Sequence, residues 1–351
     1  MNSLSLHYRS LLGALGLLLA MSAGAEPVGA PLQRPALNVL HGERTYLLGA
    51  DEAGARLVAV GERGIIVLSD DQGASWRQVQ TPVSVTLTTV RFADARNGYA
   101  VGHGGSVLVS QDAGEHWTLI LEGQQAAQIL LQAARDGGNA RAIAEAERLV
   151  ADGADKPFLD IQVSDAKHAI VVGAYGLALV TRDAGHSWQA ALSPEDNPGG
   201  LHLNAVRADG QRVLIVGEQG LVLLSEDRGA HFRPLHTPYG GSFFTAELLP
   251  RGGLLVAGLR GTTLRSDDAG ASWVPLAAPV EAAITASALD TNGEPLLASQ
   301  AGLLLRVQGG HLQPLNRQPL PALNNLLPTR EGKLFVLSEQ GVRLFSAGDE
   351  K

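Results

Sequence analysis

The chain contains no cysteine and only two methionines. Thiol catalysis, disulfide exchange and thiolate metal sites are excluded on that ground alone. The missing disulfides do not argue against a stable fold, because 351 residues can bury a sizeable core without them. Aromatic residues make up only 5%. No run reaches the roughly 18 apolar residues that a membrane-spanning helix needs. Basic residues are too few for nucleic acid: the formal net charge is −8, and no basic face is evident.

The start of the chain reads as an export signal. Arg9 precedes a short apolar run over residues 11–21, and Ala23-Gly24-Ala25 supplies a small-x-small cleavage site, so cleavage after Ala25 is expected. The alternative is an uncleaved N-terminal anchor. The mature domain would be residues 26–351, with a net charge of −9 once Arg9 is lost from the −8 total. An exported location follows as an expectation.

The scarce aromatics are placed with a rule. All four tryptophans end the same eight-residue pattern, [S/T]-x-D-x-G-x-[S/H]-[W/F], at residues 69–76, 110–117, 181–188 and 266–273. A fifth copy at 225–232 ends in Phe232. Its fixed positions are Asp71 with Trp76, Asp112 with Trp117, Asp183 with Trp188, Asp227 with Phe232, and Asp268 with Trp273. A second pattern, apolar-Gly-x-x-Gly, precedes each box. Its last glycine falls at 64, 105, 176, 220, 261, 302 and 341, counting two degenerate copies. The spacings are 41, 71, 44, 41, 41 and 39, so seven units are expected with one insertion.

Each unit of about 40 residues reads as four short strands. In the second unit these are expected over 86–92, 98–101, 106–110 and 117–121. The glycine turn joins strands two and three, its glycines supplying positive φ. The box is the turn between strands three and four, where Asp accepts backbone N–H bonds and Trp folds back between units. Removing Trp76 or Trp273 is expected to cost roughly 3–5 kcal/mol. The fold class is therefore all-β, a seven-bladed propeller. The last unit stops early, and residues 36–40 are expected to supply its missing strand and close the ring. The insertion, about residues 122–155, reads as two helices over 124–135 and 140–151. They form a hairpin between blades two and three that either packs on the flank or serves as a docking arm.

These boxes are the Asp-box, or BNR, repeat, and seven of these units with a leader and a helical insertion resemble the photosystem II assembly and stability factor family. The resemblance implies a non-catalytic lumenal or periplasmic propeller that acts as a scaffold on membrane proteins.

Catalysis finds little support. The box aspartates recur once per blade and so cannot serve one substrate. A sialidase-like site needs an arginine cluster and a tyrosine nucleophile with an acid partner. Tyr46 and Tyr99 fall in expected strands, Tyr175 and Tyr239 in turns, and no sialidase-type arginine motif is present. Glu62, Glu218 and Glu339 share one turn position, and ring closure would bring Glu62 and Glu339 to neighbouring blades. They are candidates for a carboxylate pair, or with His103 for a cation site, but the spacing carries no metal signature. No cofactor or metal is expected. A glycan-binding or glycoside hydrolase propeller is the alternative reading.

The glycine turns place Arg63, His103, Tyr175, Gln219, Arg260 and Gln340 on one face, joined by Tyr239 from a blade-to-blade segment. Tyr and Arg are the usual interface anchors. A monomer that uses this face to bind a membrane or envelope protein complex is the expected arrangement, with no direct membrane insertion and no nucleic acid.

Overall fold

The computed structural model describes residues 29–346. The expected leader, residues 1–25, lies outside them. Among the described residues no helix is long and apolar enough to cross a membrane.

Seven antiparallel sheets follow one another along the chain, each with its strands in sequence order. In the second they are Leu87–Phe92, Gly98–Gly102, Ser106–Ser110 and Thr118–Leu121, within one residue of the expected positions at every boundary. The innermost strands are Leu47–Ala53, Leu87–Phe92, Phe158–Val163, Leu203–Asp209, Phe243–Leu248, Ile284–Leu289 and Leu323–Pro328. Each touches the next, and the last touches the first, so the sheets are the blades of a closed seven-bladed propeller.

Both faces of a blade meet a neighbour, which explains why runs such as Leu57-Val58-Ala59-Val60 are apolar at every position. Val58 and Val60 pack toward blade two, whereas Leu57 and Ala59 pack toward blade seven. The core is accordingly seven separate joints, one between each pair of adjacent blades. Each fully buried Leu, Val, Ile or Phe contributes about 1.5–3 kcal/mol, so stabilisation is spread around the ring.

Every innermost strand breaks register just after its first residue, as between Leu47 and Gly49 or Leu87 and Thr89. The bulged residue is used in four blades as a polar link to the next. Thr88 Oγ1 donates to the Phe158 carbonyl (2.9 Å), and Asn204 Nδ2 to that of Phe243 (2.8 Å). Thr285 Oγ1 donates to Leu323 (2.7 Å), and Asn324 Nδ2 to Leu47 across the closing seam (2.9 Å).

Closure differs from the expectation. Six sheets have four strands and the seventh, among the described residues, has three. Residues 36–40 are not a strand and do not join the last blade. They run beside the outer strand of blade one, Arg77–Val79, where the side chain of Gln78 takes both of their free backbone groups. Its Oε1 accepts from Val39 N, and its Nε2 donates to Leu37 O, each at 2.9 Å. Ala36 N is bonded to Thr81 O. Pairing with Gln78 satisfies the backbone but not the side chains: Leu37 stays 69% exposed and Leu40 92%. The seam is closed by packing instead, with Leu327, Phe335 and Leu337 of blade seven against Leu47, Ala59 and Val67 of blade one.

The insertion forms α1 (Gly123–Gly137) and α2 (Ala140–Asp152). A capping box of Glu122 and Gln125 starts α1, left-handed Gly138 ends it, and Asn139 caps α2 through its side chain. Ala126, Ile129 and Leu130 enter the joint between blades two and three, while Leu131 and Ala134 meet Ala146 and Ile143 of α2. The hairpin is thus laid onto the flank of the ring.

Asn324→Ala removes one polar link at the seam, beside that of Asn325 Nδ2 to Leu48 O, and should lower the unfolding free energy by about 1–3 kcal/mol in urea titration. An unchanged midpoint would show that the Asn324 bond adds nothing to the seam.

Candidate functional site

On one side of the ring lie the Asp-box turns, and their geometry repeats. In the first box Ser69 Oγ donates to Asp71 Oδ1 and accepts from Gly73 N, while Ser75 N and Ser75 Oγ both donate to Asp71. Boxes two and four put a histidine in place of that second serine, and its ring meets the carboxylate: His116 Nδ1 lies 2.7 Å from Asp112 and His231 Nδ1 2.7 Å from Asp227. These bonds act on the carboxylates. The Ser75 hydroxyl, then its N–H, and then Ser69 hold Asp71 at about 2. At Asp112 burial pushes upward, but the His116 N–H and ring with the Ser110 hydroxyl bring it to about 2. Asp183 and Asp268 sit at about 2, chiefly through Ser187 and Ser272, and Asp227 is lowered by the His231 N–H.

Each box aromatic enters the joint with the preceding blade, Trp76 meeting blade seven and Trp117 blade one. The burden is uneven. Trp117 and Trp188 are buried, whereas Trp76, Trp273 and Phe232 are half-buried. Trp117 Nε1 also donates to Gly114 O. The residue before the box glycine shares its left-handed backbone, at Gln72, Ala113, Ala184, Arg228 and Ala269.

The glycine turns occupy the other ends of the strands. Only the second glycine has positive φ, at 74° in Gly64, whereas Gly61 is extended. Gly61 is required for a different reason: a Cβ there would run into the Tyr46 carbonyl, which accepts from Glu62 N. The residue before the second glycine is also left-handed, at Arg63, Tyr175, Gln219 and Arg260, with Gly104 in blade two.

Arg63, His103, Tyr175, Gln219, Arg260 and Gln340 are all exposed. Tyr239 is half-buried: its ring packs 5.5 Å from Phe243, and its hydroxyl donates to Leu259 O (3.2 Å), bracing the turn that carries Arg260. Tyr175, 58% exposed, meets His202 edge-on at 4.8 Å, and Lys156 Nζ lies 5.0 Å from its ring centre. His202 Nδ1 in turn lies 3.0 Å from Glu218. Among the described residues no group of three or more His, Cys, Asp or Glu could hold a metal, so Glu62, His103 and Glu339 do not form one.

The innermost strands carry charges that converge near the axis. Arg207 Nη1 of blade four contacts Asp160 of blade three at 2.5 Å, and its Nε lies 3.6 Å from Glu247 of blade five. Ser287 of blade six donates to Glu247 (2.7 Å). Burial raises Glu247, opposed by Arg207, by the Ser287 hydroxyl and by Arg91 of blade two. Burial likewise raises Asp51 of blade one, against Arg91 and the N–H groups of Phe92 and Glu52. Burial works against the charge on Arg207, and Asp160 and Glu247 outweigh it. The ion pairs of Arg207 with Asp160 and Glu247 tie blades three, four and five together.

The seven joints, the boxes and the glycine turns together can be set beside known proteins. The profile of the family described as "Photosynthesis system II assembly factor YCF48" matches residues 140–350. The chain belongs to this family. Similar solved structures include "YCF48 bound to D1 peptide", 18% identical, covering 89% of this chain and 98% of that one with a TM-score of 0.62. "YCF48 from Cyanidioschyzon merolae" is 15% identical, with coverages of 86% and 95% and a TM-score of 0.63. The WD40 propeller domain of Doa1 is 12% identical, with coverages of 90% and 97% and a TM-score of 0.61. No curated protein matches. At these identities the neighbours establish the propeller fold. The YCF48 profile takes in α2 and blades three to seven, and the first two blades repeat the same box and glycine turn.

For this YCF48-family chain the residue pattern did not point to Lys156, His202, Leu259 or the axial charges. The axial set had a signal: ionised residues, Asp51, Arg91, Asp160, Arg207 and Glu247, fall within short innermost strands that are otherwise rich in apolar residues.

Each box aspartate is held below its unfolded value of 3.8, so the stability it adds is complete above about pH 4 and is lost as pH falls toward 2. Urea midpoints should drop over that window. Asp71→Asn should lower the midpoint near pH 6 and make little difference near pH 2. In the same assay Trp117→Ala should cost about 3–5 kcal/mol, and Trp76→Ala less, because its side chain is already half in water.

Proposed function

We propose that the chain is an exported, non-catalytic scaffold whose glycine-turn face binds an extended segment of a membrane or envelope protein and assists its assembly or stability. The observation that carries this reading is the row of exposed arginine, tyrosine and glutamine side chains that the glycine turns present on one face. Arg63, Tyr175, Gln219 and Arg260 hold left-handed conformations, each costing a non-glycine residue about 1–2 kcal/mol. Gly104 shows that glycine fits the same turn without that cost. The box turns hold left-handed non-glycine residues as well, so it is the exposed Arg63, Tyr175 and Arg260 side chains, of the types that anchor interfaces, that favour the glycine-turn face for contact. Membership of the YCF48 family supports the reading, as does the structure of a relative bound to a D1 peptide. The leader expected at residues 1–25 supports a location outside the cytoplasm.

The test is affinity purification from detergent-solubilised envelopes of the native host, with mass spectrometry. A membrane protein should be enriched and should be lost with Arg63→Glu plus Arg260→Glu. Tyr175→Gly should weaken capture by about tenfold or more while raising thermal stability by about 1 kcal/mol. That opposite movement separates a binding role from a folding one. Retention of every captured protein by all these variants would refute the assignment.

A further inference from the structure

Blade five carries a groove of about 270 Å³ beside its glycine turn. The segment after its outer strand leaves the blade and bridges Ala277 to His311 of blade six, with Leu312 N bonded to Ala277 O. The space between that segment and the turn is the groove. Its floor is apolar, formed by Leu264, Leu276 and Ala278, and Val280 stands at the lip, 40% exposed. Leu259 and Val274 beside it are 41% and 59% exposed. The groove thus joins a buried apolar floor to an exposed aliphatic lip.

Charge defines what the groove takes. Arg260 and Glu281 both line it, and among the described residues neither side chain enters an ion pair or hydrogen bond. The Arg260 backbone is left-handed (φ 57°) and its turn is braced from behind by the Tyr239 hydroxyl, so the cation is held at one edge. We propose that this groove receives one aliphatic side chain of an extended partner segment, with an acidic residue of that segment at Arg260 and a basic one at Glu281. This rests on the reading that the turn face binds protein. The complementary charges set the register, and the buried aliphatic group supplies the affinity.

Two probes test it, the acetylated and amidated pentapeptides Asp-Gly-Leu-Gly-Lys and Lys-Gly-Leu-Gly-Asp, which allow either chain direction. Titration into the full chain, followed by methyl NMR, should give saturable shifts at Val280 and Leu259 but not at Leu37. Replacing the probe leucine by alanine should weaken binding about tenfold or more. Val280→Asp should abolish it. A charge-swapped Arg260→Glu, Glu281→Arg variant should still bind both probes but should reverse which one binds tighter. Equal binding of the leucine and alanine probes, or shifts confined to other blades, would overturn the proposal. So would a concentration-dependent dimer abolished by Val280→Asp, which would make the occupant a second copy of this chain. In the envelope experiment, capture that survives Val280→Asp but is lost with Tyr175→Gly refutes the groove and leaves the scaffold reading intact. Capture insensitive to every turn-face variant refutes the scaffold, and the probes alone then decide the groove.

Discussion

Every blade is covered on both faces by its neighbours, and the rest of the molecule follows from that. It turns the second strands into apolar runs with no solvent face, divides the core into seven joints, and makes each joint depend on the ring staying closed. The box aromatics, the packing of α1 and the apolar closure of the seam are versions of one requirement, that no sheet face be left in water. The bulges serve the same end, because a bulged residue can send its hydroxyl or amide sideways to the adjoining blade.

Polar groups are divided between two places with opposite chemistry. In the boxes, carboxylates stay near solvent and are surrounded by donors, so their charge is favoured and the turn is locked. At the axis, Asp51 and Glu247 are buried and their charge is disfavoured, an effect that the guanidinium groups of Arg91 and Arg207 oppose. A buried array of this kind adds little net stability over an apolar filling. It does oblige five blades to meet in one arrangement, because a shifted blade would strand a charge.

Much of this was legible in the residues. The glycine turn repeats in all seven blades and the aromatic box in five, so blade number, turn positions and the helical insertion could be read directly. What could not be read depends on who sits opposite. Residues 36–40 have the apolar look of a strand, yet Leu37 and Leu40 face water because the side chain of Gln78 takes the backbone bonds. The axial cluster is assembled from strands far apart in sequence. The left-handed backbone at Arg63, Tyr175 and Arg260 belongs to residue types that do not advertise it. Tyr239 was legible as a turn tyrosine, but its role as a brace depends on the Leu259 carbonyl twenty residues away.

The seam between blades seven and one involves no strand from 36–40, and among the described residues each sheet is built from one contiguous stretch of chain. Nearly all pairing is therefore local, and blades can form in order as the polypeptide emerges during synthesis. A propeller that borrows its closing strand must keep one sheet incomplete until both parts are made. Here the one distant event is the docking of two formed surfaces, so the last step of folding resembles association between subunits.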